Sequence, residues 1–233
     1  MLDAKKIKSI VLDQGADLCG IAPAQRFARA PEGFRPTDIY EKCRSIIVFA
    51  NALPIQSLFS SNCIPYTFAN RMITEKVDRL TFDLCLHFQK SGIHCVPIPS
   101  DDPYEYWIET ESYGRAILSL RHAGYLAGLG VLGKNTLLIN EHFGNMIQLG
   151  AVLTDLELEG DPIATYESCA PDCHICLESC PAQALDGQSV AQKLCRPLST
   201  YKTAKGYILK KCNACRKACP NYAGITKKES SIC

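Results

Sequence analysis

No stretch of the 233 residues approaches the ~20 uninterrupted apolar residues that a membrane-crossing helix needs. The N-terminus, MLDAKKIKSI, carries charges where a secretory signal needs an apolar core, so neither a span nor an export signal is read. A dominant charge sign is also missing: the formal net charge of +1 argues against a generic polyanion binder. Outside the cysteine-rich region described below there is no internal repeat or low-complexity tract. What remains is the expectation of a soluble, cytoplasmic chain with no membrane partner. Its 47% hydrophobic residues suffice for one substantial core and a small appended module.

Cysteine, by contrast, is abundant. Fourteen cysteines in a short exported chain would suggest disulfides, but without an export signal the reducing cytosol favours metal ligation. Cys19, Cys43, Cys63, Cys85 and Cys95 are scattered among apolar neighbours and read as small buried hydrophobes. The other nine crowd together from Cys169 onward. Cys233, the last residue, lacks the three residues that a prenylation signal places after its cysteine. Charge is uneven in the same region. Residues 195–233 hold nine cations (Arg196, Lys202, Lys205, Lys210, Lys211, Arg216, Lys217, Lys227 and Lys228) against Glu229 alone. Two readings stand: compensation of anionic iron–sulfur clusters, or a face for an acidic redox partner or RNA.

Periodicity places a helix over 4–14, ended by Gly15, and short apolar strands at 16–23, 45–50 and 94–100, which suit a sheet covered on both faces. Between them, 66–90 spaces Phe68, Met72, Val77, Leu80, Leu84 and Phe88 near helical period, predicting one long amphipathic helix. A further helix is predicted over 114–127, then two strands, NTLLINEHF and NMIQLGAVLTDLEL, joined as a hairpin around Gly144. The order of elements indicates an α+β or α/β fold without a clean βαβ repeat. Residues 158–168 look like the connection to the cysteine module.

That module reads Cys169-Ala-Pro-Asp-Cys173-His-Ile-Cys176-Leu-Glu-Ser-Cys180-Pro181, then Cys195, then Cys212-Asn-Ala-Cys215-Arg-Lys-Ala-Cys219-Pro220. In two-cluster ferredoxins the run C-x2-C-x2-C-x3-C-P supplies three ligands to one [4Fe-4S] cluster, and its fourth cysteine serves the other. On that logic one cluster takes Cys169, Cys173, Cys176 and Cys219, and the second takes Cys195, Cys212, Cys215 and Cys180. Two gaps depart from the type pattern: x3 between Cys169 and Cys173, and sixteen residues between Cys195 and Cys212. Loops can absorb both, because the cluster constrains the sulfurs rather than the intervening chain. Structural zinc is the alternative, since paired CxxC units also make four-cysteine zinc sites, but zinc does not call for crossed C-x3-C-P endings. His174, inside the first loop, reads as a surface residue.

Residues 128–136, Gly-Leu-Gly-Val-Leu-Gly-Lys-Asn-Thr, match two phosphate-binding patterns poorly. Gly128-x-Gly130-x-x-Gly133 has dinucleotide-binding spacing but does not follow a strand, and Asn135 stands where a P-loop needs Ser or Thr. The glycines could let backbone approach a flat ligand, with Lys134 facing an anionic group, or could make a purely structural turn. Gly128, Gly130, Gly133, Lys134, Asn135 and Thr136 are the candidate cofactor-binding residues.

RHAGYLAGLGVLGKNTLLI (121–139), LGAVLTDLEL (149–158), CHICLESCPAQAL (173–185) and the second CP motif together resemble the epoxyqueuosine reductases and the corrinoid reductive dehalogenases, from about residue 3 to 222. The resemblance implies a nitroreductase-like, corrinoid-binding-type α/β domain over 1–160 and a two-cluster bacterial ferredoxin-like module over 161–233. It further implies an oxidoreductase that passes electrons through its clusters to cobalamin, fed by a redox partner protein. FMN is an alternative occupant, and a non-catalytic carrier or corrinoid-reactivation partner is an alternative role. The aspartate that the reductases place about fourteen residues before GLG falls here at Gly114, beside Tyr113, and the helical repeats associated with tRNA binding do not follow the CP motifs. The expectation on these grounds is that epoxyqueuosine in tRNA is not the substrate and tRNA is not a partner.

Overall fold

The computed structural model describes residues 2–225. Lys227, Lys228, Glu229 and Cys233 lie outside them. Helix α1 (Ala4–Asp13) starts where the Asp3 carboxylate accepts the Lys6 amide at 2.8 Å, and it stops at Gly15, whose φ of 103° suits a residue without Cβ. Strand β1 (Leu18–Pro23) follows, then a single helical turn α2 (Pro36–Ile39), strand β2 (Ser45–Ala52), the long helix α3 (Ile64–Lys90) and strand β3 (Cys95–Ile98). Next come a small ribbon of β4 (Tyr106–Ile108) and β5 (Tyr113–Arg115), helix α4 (Leu120–Leu126), a second ribbon of β6 (Val131–Leu132) and β7 (Leu138–Ile139), and strand β8 (Ile147–Thr154).

The central sheet has the order β1-β2-β8-β3, antiparallel throughout. Both faces are covered, and the period-two alternation of β2 divides the core. Ile46, Val48 and Ala50 face the side closed by α4 and Leu118, while Ile47 and Phe49 face the side closed by Ile7 and Val11 of α1 and by Val77, Leu80, Leu84 and Phe88 of α3. Each fully buried large side chain contributes about 1.5–3 kcal/mol of transfer free energy. Gly150 permits the close approach of α3, because a Cβ there would come within 2.6 Å of the Phe49 ring and 2.7 Å of Val77.

Three expectations are corrected. The predicted helix over 114–127 is confined to Leu120–Leu126, and Gly114 instead pairs with Trp107 in the β4–β5 ribbon. The hairpin around Gly144 does not form: β7 pairs with β6, and β8 is inserted between β2 and β3, leaving only an isolated bridge from Asn140 to Gly144. Finally, Phe68 and Met72 lie on the outside of α3, 57% and 42% exposed, because the buried stripe runs through Tyr66, Ala69, Ile73, Val77, Leu80, Leu84 and Phe88. Residues 68 and 72 sit about 100° around the helix from 69 and 73. No described helix is long and apolar enough to cross a membrane.

Beyond β8 the chain runs without regular structure along the N-terminal body. Asp161 accepts the Ile21 amide at 2.8 Å and pairs with Lys8, which pins this connection to β1 and α1. Helices α5 (Ile175–Glu178), α6 (Gln192–Ser199) and α7 (Ala214–Lys217) and the ribbon of β9 (Thr200–Lys202) and β10 (Ile208–Lys210) complete the fold.

Candidate metal centre

Each CP motif is built the same way. A loop carries the first thiols, then a single helical turn, α5 or α7, occupies the x3 spacing and carries the chain to the cysteine before proline. Cys176 and Cys219 are buried, and the other six motif cysteines are partly buried. The fold gathers the eight into two sets. Burial pushes the Cys176 thiol up, with neighbouring charge at Cys169 and Cys173 adding to it, and Cys219 is raised by burial and then by Cys169, Cys176 and Cys173. In the second set burial again dominates: Cys215 is pushed up to about 11 with Cys195, Cys212 and Cys180 around it, and Cys195 is raised in the company of Cys180 and Cys212. Cys219 thus lies beside the first loop and Cys180 beside the second.

A set of buried and partly buried thiols whose ionised forms would repel one another is a poor structural element but a good ligand set, since a cationic core reverses both penalties. The first four thiols line a cavity of ≈ 70 Å³, closed by Asn135, Ser168, Ala170, Pro220 and Asn221. Among the described residues no three His, Cys, Asp or Glu side chains converge on one ion-sized point. His174 is exposed, outside this lining.

The glycine loop meets the module from the other side. A Cβ on Gly128 would overlap the Pro162 carbonyl oxygen, and one on Gly130 would lie 2.5 Å from the Ile139 carbonyl oxygen. On the side where a Cβ would stand, these glycines admit the protein's own backbone. Gly133 is packed against the Ile139 side chain, and Thr136 holds a left-handed φ of 64°, rare for a β-branched residue. Lys134 points its ammonium at the cysteine loop, donating to the carbonyls of Ala170 (3.3 Å), Pro171 (2.6 Å) and Cys173 (3.0 Å). Asn135 donates to the Cys215 carbonyl at 3.2 Å and its own side-chain oxygen accepts the Leu137 amide, so one residue touches both cysteine sets. These positions form a seam that holds the module to the N-terminal body.

Several seam residues had no motif to announce them. Asn145 donates to the Arg216 carbonyl at 3.2 Å while the Arg216 guanidinium donates back to the Asn145 carbonyl, and Asn221 donates to the Ser168 carbonyl. Tyr166 donates to the Ile139 carbonyl at 2.9 Å. Isolated asparagines carry no spacing signal, and only the packed chain reveals them.

Gly114 occupies a separate aromatic corner. Gln192 clamps it, accepting from its amide at 3.1 Å and donating to its carbonyl at 3.0 Å. The Arg196 guanidinium, held by Gln192 at 2.8 Å, lies over the rings of Tyr104 and Trp107, and Arg115 lies over Phe34, Tyr106 and Tyr113. A Cβ at Gly114 would stand 2.9 Å from the Trp107 ring.

No protein-family model matches the chain. Curated epoxyqueuosine reductases match part of it. One from Staphylococcus aureus (strain NCTC 8325 / PS 47) is 34% identical over 130 residues, covering 50% of this chain and 33% of the reductase. Another, from Lactococcus garvieae (strain Lg2), is 34% identical over 110 residues, 42% of this chain and 30% of that protein. The matched segments thus span about a third of these curated relatives. Among solved structures, an epoxyqueuosine reductase from Streptococcus thermophilus superposes with a TM-score of 0.65 at 20% identity, covering 96% of this chain and 67% of that one. A catabolic reductive dehalogenase reaches 0.70 at 18% identity over 93% of this chain and 31% of its own. One epoxyqueuosine reductase of this fold, at a TM-score of 0.59 and 19% identity, was solved with an epoxyqueuosine-modified tRNA stem loop. The chain is similar in sequence to the epoxyqueuosine reductases over up to half its length, and it shares its fold with them and with the corrinoid reductive dehalogenases.

Proposed function

We propose that the chain is an iron–sulfur oxidoreductase of the epoxyqueuosine-reductase-like kind, holding two [4Fe-4S] clusters on crossed cysteine sets. The observation that carries this reading is the grouping of Cys169, Cys173, Cys176 and Cys219 around one cavity, with Cys180 drawn to Cys195, Cys212 and Cys215. Bound clusters supply one-electron transfer. The chain's own residues orient the thiols, bury them and tie both loops to the N-terminal body through Lys134 and Asn135. The fold likeness to a dehalogenase whose structure is described as suggesting a B12-dependent mechanism supports a corrinoid as electron acceptor in the N-terminal part, with FMN as the alternative.

Iron and sulfide analysis of anaerobically purified protein tests the core of the proposal: about eight of each per chain are expected. Iron near four, or stoichiometric zinc, refutes it. A non-catalytic carrier is the second reading, favoured by Gly114, where the resemblance leads one to expect an aspartate and the Trp107 ring leaves no room for a side chain. An anaerobic absorption spectrum separates the readings, since corrinoid, flavin and clusters alone absorb in different bands.

A further inference from the structure

The outer stripe of α3 that the core does not use continues onto the module. Ile64, Phe68 and Met72 follow one another at i, i+4 and i+8, each more than 40% exposed. The β9–β10 ribbon is anchored beside them, its Lys210 amide donating to the Thr67 hydroxyl at 3.0 Å, and it presents Tyr207 and Ile208, 65% and 49% exposed. Contiguous exposed side chains of this size mark an interaction surface. The rim is mostly cationic: Arg71 lies over the Phe68 ring at 5.7 Å and the ribbon carries Lys202, Lys205 and Lys210, with exposed Glu75 three residues beyond Met72. From Cys195 to Ile225 the chain has seven Lys and Arg and no Asp or Glu, and the only ion pair recorded for them among the described residues is Lys210 with Asp101 at 3.8 Å. Lys211, directly before Cys212, lies 4.0 Å from the centre of the Tyr201 ring. The patch therefore borders the set of Cys180, Cys195, Cys212 and Cys215.

We propose that this face docks an acidic electron-donor protein, a reduced flavoprotein or iron–sulfur protein, which delivers single electrons to the adjacent cysteine set. The inference rests on the cluster reading above. An apolar centre within a charged rim is the usual anatomy of a specific interface, and the cations select for acidic partners and speed their approach. The transfer makes and breaks no bond: the donor's reduced centre loses one electron and the chain gains it.

The test is stopped-flow reduction of the anaerobic holoprotein by a reduced, acidic flavodoxin, with dithionite as a donor that needs no docking. Two variants are compared, Phe68→Ser and the pair Lys202→Glu with Lys205→Glu, all at exposed positions. Both should lower the flavodoxin rate constant at least ~10-fold and leave the dithionite rate unchanged, and the wild-type rate should fall steeply with added salt. Unchanged flavodoxin rates in both variants overturn the proposal. Loss of a wild-type dimer in Phe68→Ser, seen by sedimentation with the donor rate intact, would replace it with self-association. Weakened binding of an RNA hairpin with the donor rate intact would assign the face to RNA. Iron analysis and the dithionite arm come first, so failure of the cluster reading is seen separately from failure of the docking face.

Discussion

Replacing Lys134 with methionine removes an ammonium that donates to three carbonyls of the loop between Cys169 and Cys173, at 3.3, 2.6 and 3.0 Å. Hydrogen bonds to a charged group are worth about 1.5–3 kcal/mol each, but two of the three lie where water can replace the lost donor, so the total is about 2 kcal/mol rather than the sum. At ~1.4 kcal/mol per factor of ten, the loop opens roughly 25-fold more often. For a chain of this size the same loss lowers Tm by roughly 4–8 °C. The assay is anaerobic release of iron to an excess of ferrous chelator. One of two kinetic phases should accelerate roughly 25-fold, matching the first cysteine set, while the other is unchanged. Lys134→Arg should be intermediate, since a planar guanidinium cannot aim donors from one atom at three converging carbonyls. If both phases keep their rates and Tm moves by less than about 1 °C, the tether carries no weight. Loss of a bound corrinoid or flavin from Lys134→Met with iron release untouched would return Lys134 to the role of holding an anionic ligand.

Cys180→Ala should remove the cluster assigned to Cys195, Cys212 and Cys215 and leave the other, read by iron content near four and by electron paramagnetic resonance; loss of the cluster on its own loop would show that the motifs do not cross. Gly130→Ala should destabilise the protein with or without cofactor, by thermal melting, because the new methyl meets the Ile139 backbone rather than a ligand. Phe88→Ala, at a fully buried position under the sheet, should cost about 3–5 kcal/mol in denaturant unfolding, and a loss under 1 kcal/mol would contradict the packing described. Partial desolvation, reinforced by the charge of Arg121, holds His122 below the usual histidine range although its side chain still reaches solvent. Its folded state prefers the neutral ring, so this contribution is complete above pH ~6.5 and is lost as pH falls through the lower folded value. His122→Asn should flatten that acid limb of the stability curve.

What the amino-acid order determined by itself is what depends on short spacing. The three- and four-residue intervals of the cysteine motifs place their thiols on one loop and one helical turn each, and the α5 and α7 turns form where those intervals fall. Helix α1, strands β1 to β3 and the extent of α3 likewise declare themselves through local periodicity. Partners distant in sequence were decided only by the tertiary structure. Strand β8 reads equally well as half of a hairpin, and its insertion between β2 and β3 depends on which open edges meet across about a hundred residues of chain. The same holds for the side of α3 that faces the core: a stripe through 69, 73 and 77 and one through 68 and 72 differ by a single residue step, and the sheet selects the first. Lys134 looked free for a ligand because nothing near it in sequence can neutralise it, whereas the loop carbonyls that receive its proton donors lie more than thirty residues away. Hydrogen bonds to backbone carbonyls impose no requirement on the identity of the accepting residue, and so they leave no trace in the sequence.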